Sequence, residues 1–166
     1  MNAAVKLGIP AAKLVAGVDT VSLCLSKGLG TPAGSVLVGS ADFIRRAHRI
    51  RKLVGGGMRQ IGIVAAAGIH ALENHIDRLV DDHANALCLA ERLAQVKAIH
   101  VEPELVETNM VFITLPDGAA DGLRAHLAAR GILLGGGARQ IRLVTHLDIT
   151  LDDIDLLSEE IFQYFA

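Results

Sequence analysis

Tryptophan is absent, tyrosine occurs once and phenylalanine four times. Aromatic residues at 3% supply no platform on which nucleic-acid bases could stack. Charge is thin as well: 20% of residues are charged, against a usual ~25%. The formal net charge of −2 argues against a polyanionic partner. Two cysteines, Cys24 and Cys88, make neither a disulfide framework nor a zinc site. Both are expected to be buried thiols in a reducing compartment. Long apolar runs are missing: Ile61–Ile69 falls far short of a membrane span. Lys6, Pro10 and Lys13 break any signal-peptide pattern near the start. The expectation is a cytoplasmic protein with no membrane and no nucleic-acid partner.

What is abundant is small and apolar. Hydrophobic residues reach 51%, glycine occurs 17 times in 166 residues, and mean hydropathy is +0.42. A chain of this length buries roughly 70% of its unfolded surface, so a core is possible. Asn2–Leu7 reads as helix stopped by Gly8, and Pro10 opens a short turn. TVSLCL (20–25) and SVLV (35–38) read as strands joined by the glycine-rich SKGLGTPAG, together a buried ribbon. Ser40 is placed to cap a helix with Asp42 in its first turn. In that helix Phe43, Ile44, Ala47, Ile50 and Val54 repeat at helical spacing. Residues 58–76 predict a second helix, rich in Ala and Gly and suited to the interior of a larger body. Residues 77–96 predict an amphipathic third.

Near Lys97 the pattern changes to short alternating strands and helices. These are IHVE, NMVFITL, a helix over 119–130, GILL, QIRLVTHL, and a last helix over 151–165 capped by Thr150 and Asp153. The boundary therefore falls at 95–98, and the segment beyond it reads as a small α/β sandwich with helices on one sheet face. GGGMRQI (55–61) and GGGARQI (135–141) are unrelated glycine turns, since one precedes a helix and the other a strand.

Five lysines occur, Lys6, Lys13, Lys27, Lys52 and Lys97. Lys27 stands apart because it directly follows an apolar strand. Desolvation there favours the free amine, the form that attacks carbonyls to make Schiff bases. Gly28 and Gly30 flank Leu29 and let a flat cofactor approach the backbone. Arg142 lies between Ile141 and Leu143, so in a strand it points away from its apolar neighbours. His146 is a weaker candidate for supporting it. RRAHRIRK (45–52) is read as a solvated helix face, although its charge also suits nucleic acid. His70, Glu73, His75 and Asp77 lack metal-helix spacing, and no metal is expected.

The stretch SLCLSKGLGTPAGSVLVGSADFIRRAHRIRKLVGGGMRQ resembles the lysine segment of the low-specificity L-threonine aldolases. These are fold-type-I pyridoxal 5'-phosphate (PLP) enzymes of the aspartate aminotransferase superfamily. The resemblance runs from NAAVKLG to RLVTHLD. It implies an α/β fold, with residues 1–96 forming the C-terminal part of a PLP-binding large domain and residues 97–166 a small α/β domain. It implies that Lys27 binds PLP covalently, with Ser26, Lys52 and Arg59 as further cofactor-binding residues. It also implies that Arg142 takes the α-carboxylate of an amino-acid substrate. The reaction implied is cleavage of L-threonine and related β-hydroxy-α-amino acids to glycine and an aldehyde.

The family's residues for the pyridine nitrogen, ring stacking and phosphate cradle have no counterpart in this sequence. Asp19, only eight positions ahead of Lys27, does not match the pyridine partner. The chain is therefore expected to act as an incomplete fragment, inactive alone, whose partner is a missing N-terminal half or other copies in a homo-oligomer. The second reading is a non-catalytic paralogue that serves only as an association module.

Overall fold

The structure, a computed structural model, describes Met1–Ala166. It divides into two compact units, Met1–Leu79 and Val80–Ala166. Each is mixed helix and strand, as the α/β reading requires.

The first unit opens with α1 (Asn2–Leu7), ended by Gly8 at φ 62. This is the left-handed turn that glycine adopts without a Cβ penalty. A short α2 (Ala11–Leu14) follows Pro10. Strands β1 (Thr20–Cys24) and β2 (Ser35–Gly39) pair antiparallel, from Thr20 opposite Gly39 to Cys24 opposite Ser35. The ribbon is not buried, contrary to its apolar sequence. Val36, Leu37 and Val38 are 40%, 45% and 53% exposed. Two strands expose two edges and two faces, and no third strand joins them in this chain.

Helix α3 (Ala41–Leu53) starts where Ser40 Oγ accepts the Phe43 N–H at 3.3 Å. Its apolar stripe is only partly covered: Phe43, Ile44 and Ala47 are half-buried, whereas Ile50 and Val54 face solvent. Helix α4 (Gly62–Asn74) begins later than its sequence suggests and buries only Gly68 and Ala71. The interior helix expected there is a surface helix in this chain, with Ile63 82% exposed. What core the unit has is Leu25, Leu29 and Ala71, with Met1, Leu23 and Ile76 packed around them.

The second unit is better filled. It holds most of α5 (Leu79–Leu93), β3 (Met110–Thr114), α6 (Ala119–Ala128), β4 (Gln140–Val144) and α7 (Leu151–Phe165). Ala86, Leu89, Ala90 and Leu93 of α5 pack with Val111, Ile113, Leu123, Leu127, Ile141, Ile154 and Ile161 in one core. The compact unit begins at Val80, and α5 carries an apolar face for its core. Strands β3 and β4 pair antiparallel with Phe112 opposite Arg142. IHVE contributes only a bridge from His100 to Thr114, and GILL forms no strand. Buried Thr145 closes the end of β4. Its Oγ1 donates to the Asp82 carbonyl at 2.6 Å, and the Thr145 carbonyl accepts from Asn109 Nδ2 at 2.9 Å. No helix is long and apolar enough to cross a membrane.

The start of α7 is a complete capping box. Asp153 N–H donates to Thr150 Oγ1 at 3.3 Å, and Asp153 Oδ2 accepts from the Thr150 hydroxyl at 2.7 Å and its N–H at 2.8 Å. The Thr150 hydroxyl, then its N–H, hold the Asp153 carboxyl below the usual carboxylate range. Thr150→Ala is expected to cost about 1 kcal/mol, seen as a lower urea midpoint at unchanged slope. Because the folded carboxyl is the stronger acid, its contribution is present above the unfolded-state pKa. It is lost as pH falls through the folded one. The gap between wild type and variant should therefore narrow in acid.

Candidate active site

Lys27 lies in the turn from Leu25 to Gly34 that joins β1 to β2. The ladder extends one rung past the strands, with Leu25 N–H donating to the Gly34 carbonyl at 3.0 Å. Leu25 and Leu29 then turn inward against Ala71, at 6% and 3% exposure. Thr31 N–H donates to the Leu25 carbonyl at 3.2 Å and Gly30 N–H to the Lys27 carbonyl at 2.8 Å. Gly30 takes φ 69, a conformation that suits glycine. With both leucines directed inward, Lys27 is left outside. Its side chain is exposed, which corrects the expectation of a desolvated amine: the strand before it lacks the cover that would bury it. No hydrogen bond or ion pair occupies that amine.

Ser26 precedes it, its Oγ 3.5 Å from Cys24 Sγ. The Ser26 side-chain contact holds the Cys24 thiol below its ordinary value, and the Lys27 charge acts in the same direction. Cys24 and Cys88 are free and only half-buried, not the fully buried thiols their apolar neighbours suggested.

Lys52 occupies the last turn of α3. Its amine lies against Gly57, where a Cβ would come within 2.8 Å of Nζ. Arg59 is exposed in the segment between α3 and α4. Neither cation has a carboxylate partner, whereas Arg45 and Arg92 pair with Asp42 and Asp155. No hydrogen bond or ion pair joins Ser26, Lys27, Lys52 and Arg59 to one another.

In the second unit Arg142 is exposed beside buried Ile141. With His146, Gln140 and Gly135–Gly137 it lines an open cleft of about 850 Å³. His146 Nδ1 accepts the Asp148 N–H at 3.4 Å and leaves Arg142 unpaired. Arg124 fixes one wall, donating to the Gly136 and Gly137 carbonyls at 2.9 and 2.6 Å and pairing with Asp121 at 3.1 Å. Sequence reasoning missed that clamp, since nothing local links residue 124 to a glycine run at 135–137.

The model of the beta-eliminating lyases matches residues 1–116. The chain belongs to the beta-eliminating lyase family. Among family relatives it is 49% identical over 157 residues to low-specificity L-threonine aldolase 1 of Arabidopsis thaliana, covering 92% of this chain and 44% of that protein. A crystal structure from Exiguobacterium sp. 255-15, described as an aromatic amino acid beta-eliminating lyase/threonine aldolase, superposes with a TM-score of 0.83 at 20% identity. It covers 99% of this chain and 50% of that one. A serine palmitoyltransferase solved with PLP as an internal aldimine superposes with a TM-score of 0.71 at 17% identity, over 92% of this chain and 41% of that one. At such identities the structures show the fold, that of the fold-type-I PLP enzymes. The chain spans less than half the length of the curated relatives it matches.

Proposed function

We propose that this chain carries the Schiff-base lysine and the carboxylate-binding arginine of a PLP-dependent lyase that cleaves L-threonine and related β-hydroxy-α-amino acids. The observation that carries the reading is Lys27: a free, solvent-facing amine in a turn anchored on both sides, within a chain of this family. The other residues suit PLP in donor chemistry. Lys27 offers a nucleophilic nitrogen for an aldehyde, while Lys52 and Arg59 are cations with no carboxylate of their own, suited to a phosphate. Arg59 also lies near the start of α4, where a cation opposes the helix dipole and an anion would relieve it. We assign the cofactor to Lys27, Ser26, Lys52 and Arg59.

When bound, PLP withdraws electrons from the Cα of an amino acid joined to it. Lys27 Nζ would supply the nucleophile, through the nitrogen lone pair, that holds the cofactor's aldehyde carbon. Beside the substrate, the Lys27 amine, with no other partner, would also be able to accept or return a proton. Arg142 holds the substrate α-carboxylate through its forked guanidinium. Fixing that carboxylate fixes rotation about the bond to Cα and so selects which bond is broken. For L-threonine the Cα–Cβ bond breaks, the hydroxyl proton leaves, Cα gains a proton, and the products are glycine and acetaldehyde.

The exposed residues Val36, Leu37, Val38, Ile63 and Ile69 support a further element of the reading. They form surface that the segment carried by longer relatives, or a second copy of this chain, would cover. The test uses the chain alone and the chain joined in frame to the N-terminal part of the Arabidopsis relative. Each is supplied with PLP and L-threonine, and glycine and acetaldehyde are assayed. The completed protein is expected to release both in equal amounts and the chain alone almost none. A completed protein that folds and binds PLP yet releases neither contradicts the assignment.

A further inference from the structure

One anchor of the Lys27 turn comes from far along the sequence. His75, the residue that ends α4, approaches Leu29 from 46 positions away, its Nδ1 lying 2.7 Å from the Leu29 carbonyl oxygen. A carbonyl only accepts, so Nδ1 carries the hydrogen and donates it. Leu29 is two residues beyond Lys27, and the residue after it, Gly30, donates its N–H back to the Lys27 carbonyl. One imidazole thus holds the peptide that closes the loop around the lysine.

The histidine is itself held. Its side chain is half-buried, and the His70 ring meets it edge-on with centroids 5.2 Å apart. His70 is steadied in turn by Asn74, whose Nδ2 donates to the His70 carbonyl at 2.8 Å and lies 3.3 Å from its Nδ1. On another side of the turn Gly28 is crowded: a Cβ there would come within 3.2 Å of Asn2 Nδ2 and 3.3 Å of Leu79. The Leu29 side chain is buried with Ala71. The lysine's backbone is therefore fixed while its side chain stays free.

We propose that His75 is a positioning residue for Lys27, fixing the turn from which the lysine presents its amine through the bond from Nδ1–H to the Leu29 carbonyl. The proposal rests on the reading of Lys27 as the PLP-binding lysine. A lysine has a long, flexible stem, so the placement of its Cα limits where Nζ can reach. Small misplacements of reacting groups cost large factors in rate. The supporting contact must then be rigid and separate from the group it positions.

The test compares wild type, His75→Ala and His75→Gln, the last retaining an N–H donor. Backbone amide exchange over residues 25–31 is measured with and without PLP, and PLP adducts are trapped with borohydride and mapped to each lysine. Lys52 and Lys97 in the same molecules serve as internal references. His75→Ala should speed exchange of Gly30 and Thr31 by about tenfold, the factor for one ordinary hydrogen bond, while β3 and β4 exchange as before. The Lys27 share of trapped adduct should fall several-fold, and His75→Gln should restore both readouts in large part. Unchanged exchange at 25–31, equally faster exchange across α3 and α4, or an unchanged Lys27 share in His75→Ala each overturns the proposal. Failure of the underlying reading is separate: it shows as a wild-type chain whose Lys27 is labelled no more than Lys52 or Lys97. In that case the exchange measurement still decides whether His75 holds the turn.

Discussion

Replacing Lys27 with alanine in the completed enzyme is expected to reduce threonine cleavage by several orders of magnitude while leaving the fold intact. The side chain is exposed and makes no hydrogen bond or ion pair, so its removal opens no cavity and strands no partner. Surface substitutions of this kind usually change stability by within about 0.5 kcal/mol. The chemistry, in contrast, loses its covalent nucleophile. Lys27→Arg should be as inactive, because a guanidinium keeps its proton and does not attack carbonyls. The measurements are product release and urea unfolding on the same preparations. A Lys27→Ala variant that retains most of its activity, or one that loses activity only because it fails to fold, would show that the turn serves another purpose.

The second large effect is expected at Arg142. Arg142→Ala in the completed enzyme removes a charge-assisted pair to the substrate carboxylate, worth ~1.5–3 kcal/mol. KM for L-threonine should then rise roughly ten- to hundredfold. PLP affinity should change little, because the assigned cofactor residues are Ser26, Lys27, Lys52 and Arg59. The strand should survive, since Arg142 is exposed and the core side of β4 is carried by Ile141. Steady-state kinetics with PLP titration separates the cases. Collapse of PLP affinity at an unchanged KM would make Arg142 a phosphate or structural residue.

Local signals in the sequence agree with the structure because their physics is local. Gly8 ends α1, Ser40 caps α3, and Thr150 with Asp153 boxes the start of α7, as the residue types and spacings indicate. Strands β3 and β4 and the inward side of Ile141 follow from alternation. Burial was misread wherever it depends on something outside the segment. TVSLCL and SVLV have the composition of covered strands, yet β2 is exposed and β1 only half-buried, because little in this chain covers them. The same holds for α4, whose small residues suit an interior that these 166 residues do not supply. The turn that carries Lys27, the lysine proposed to bind PLP, was legible in the CLSKGLG stretch as a glycine-rich loop after a strand. Its support was not, because the His75–Leu29 bond joins positions 46 apart and leaves no periodic trace. The Arg124 clamp on Gly136 and Gly137 was hidden for the same reason.

The central claim is that Lys27 binds PLP covalently. It is tested most directly by incubating the protein with PLP, reducing with borohydride, and locating the pyridoxyl group by peptide mapping. The five lysines fall in different sequence contexts, so the adduct can be assigned without ambiguity. The account predicts a dominant adduct on Lys27, formed in preference to Lys6, Lys13, Lys52 and Lys97. Labelling found mainly on Lys52 or Lys97, or spread evenly over all five, would contradict it.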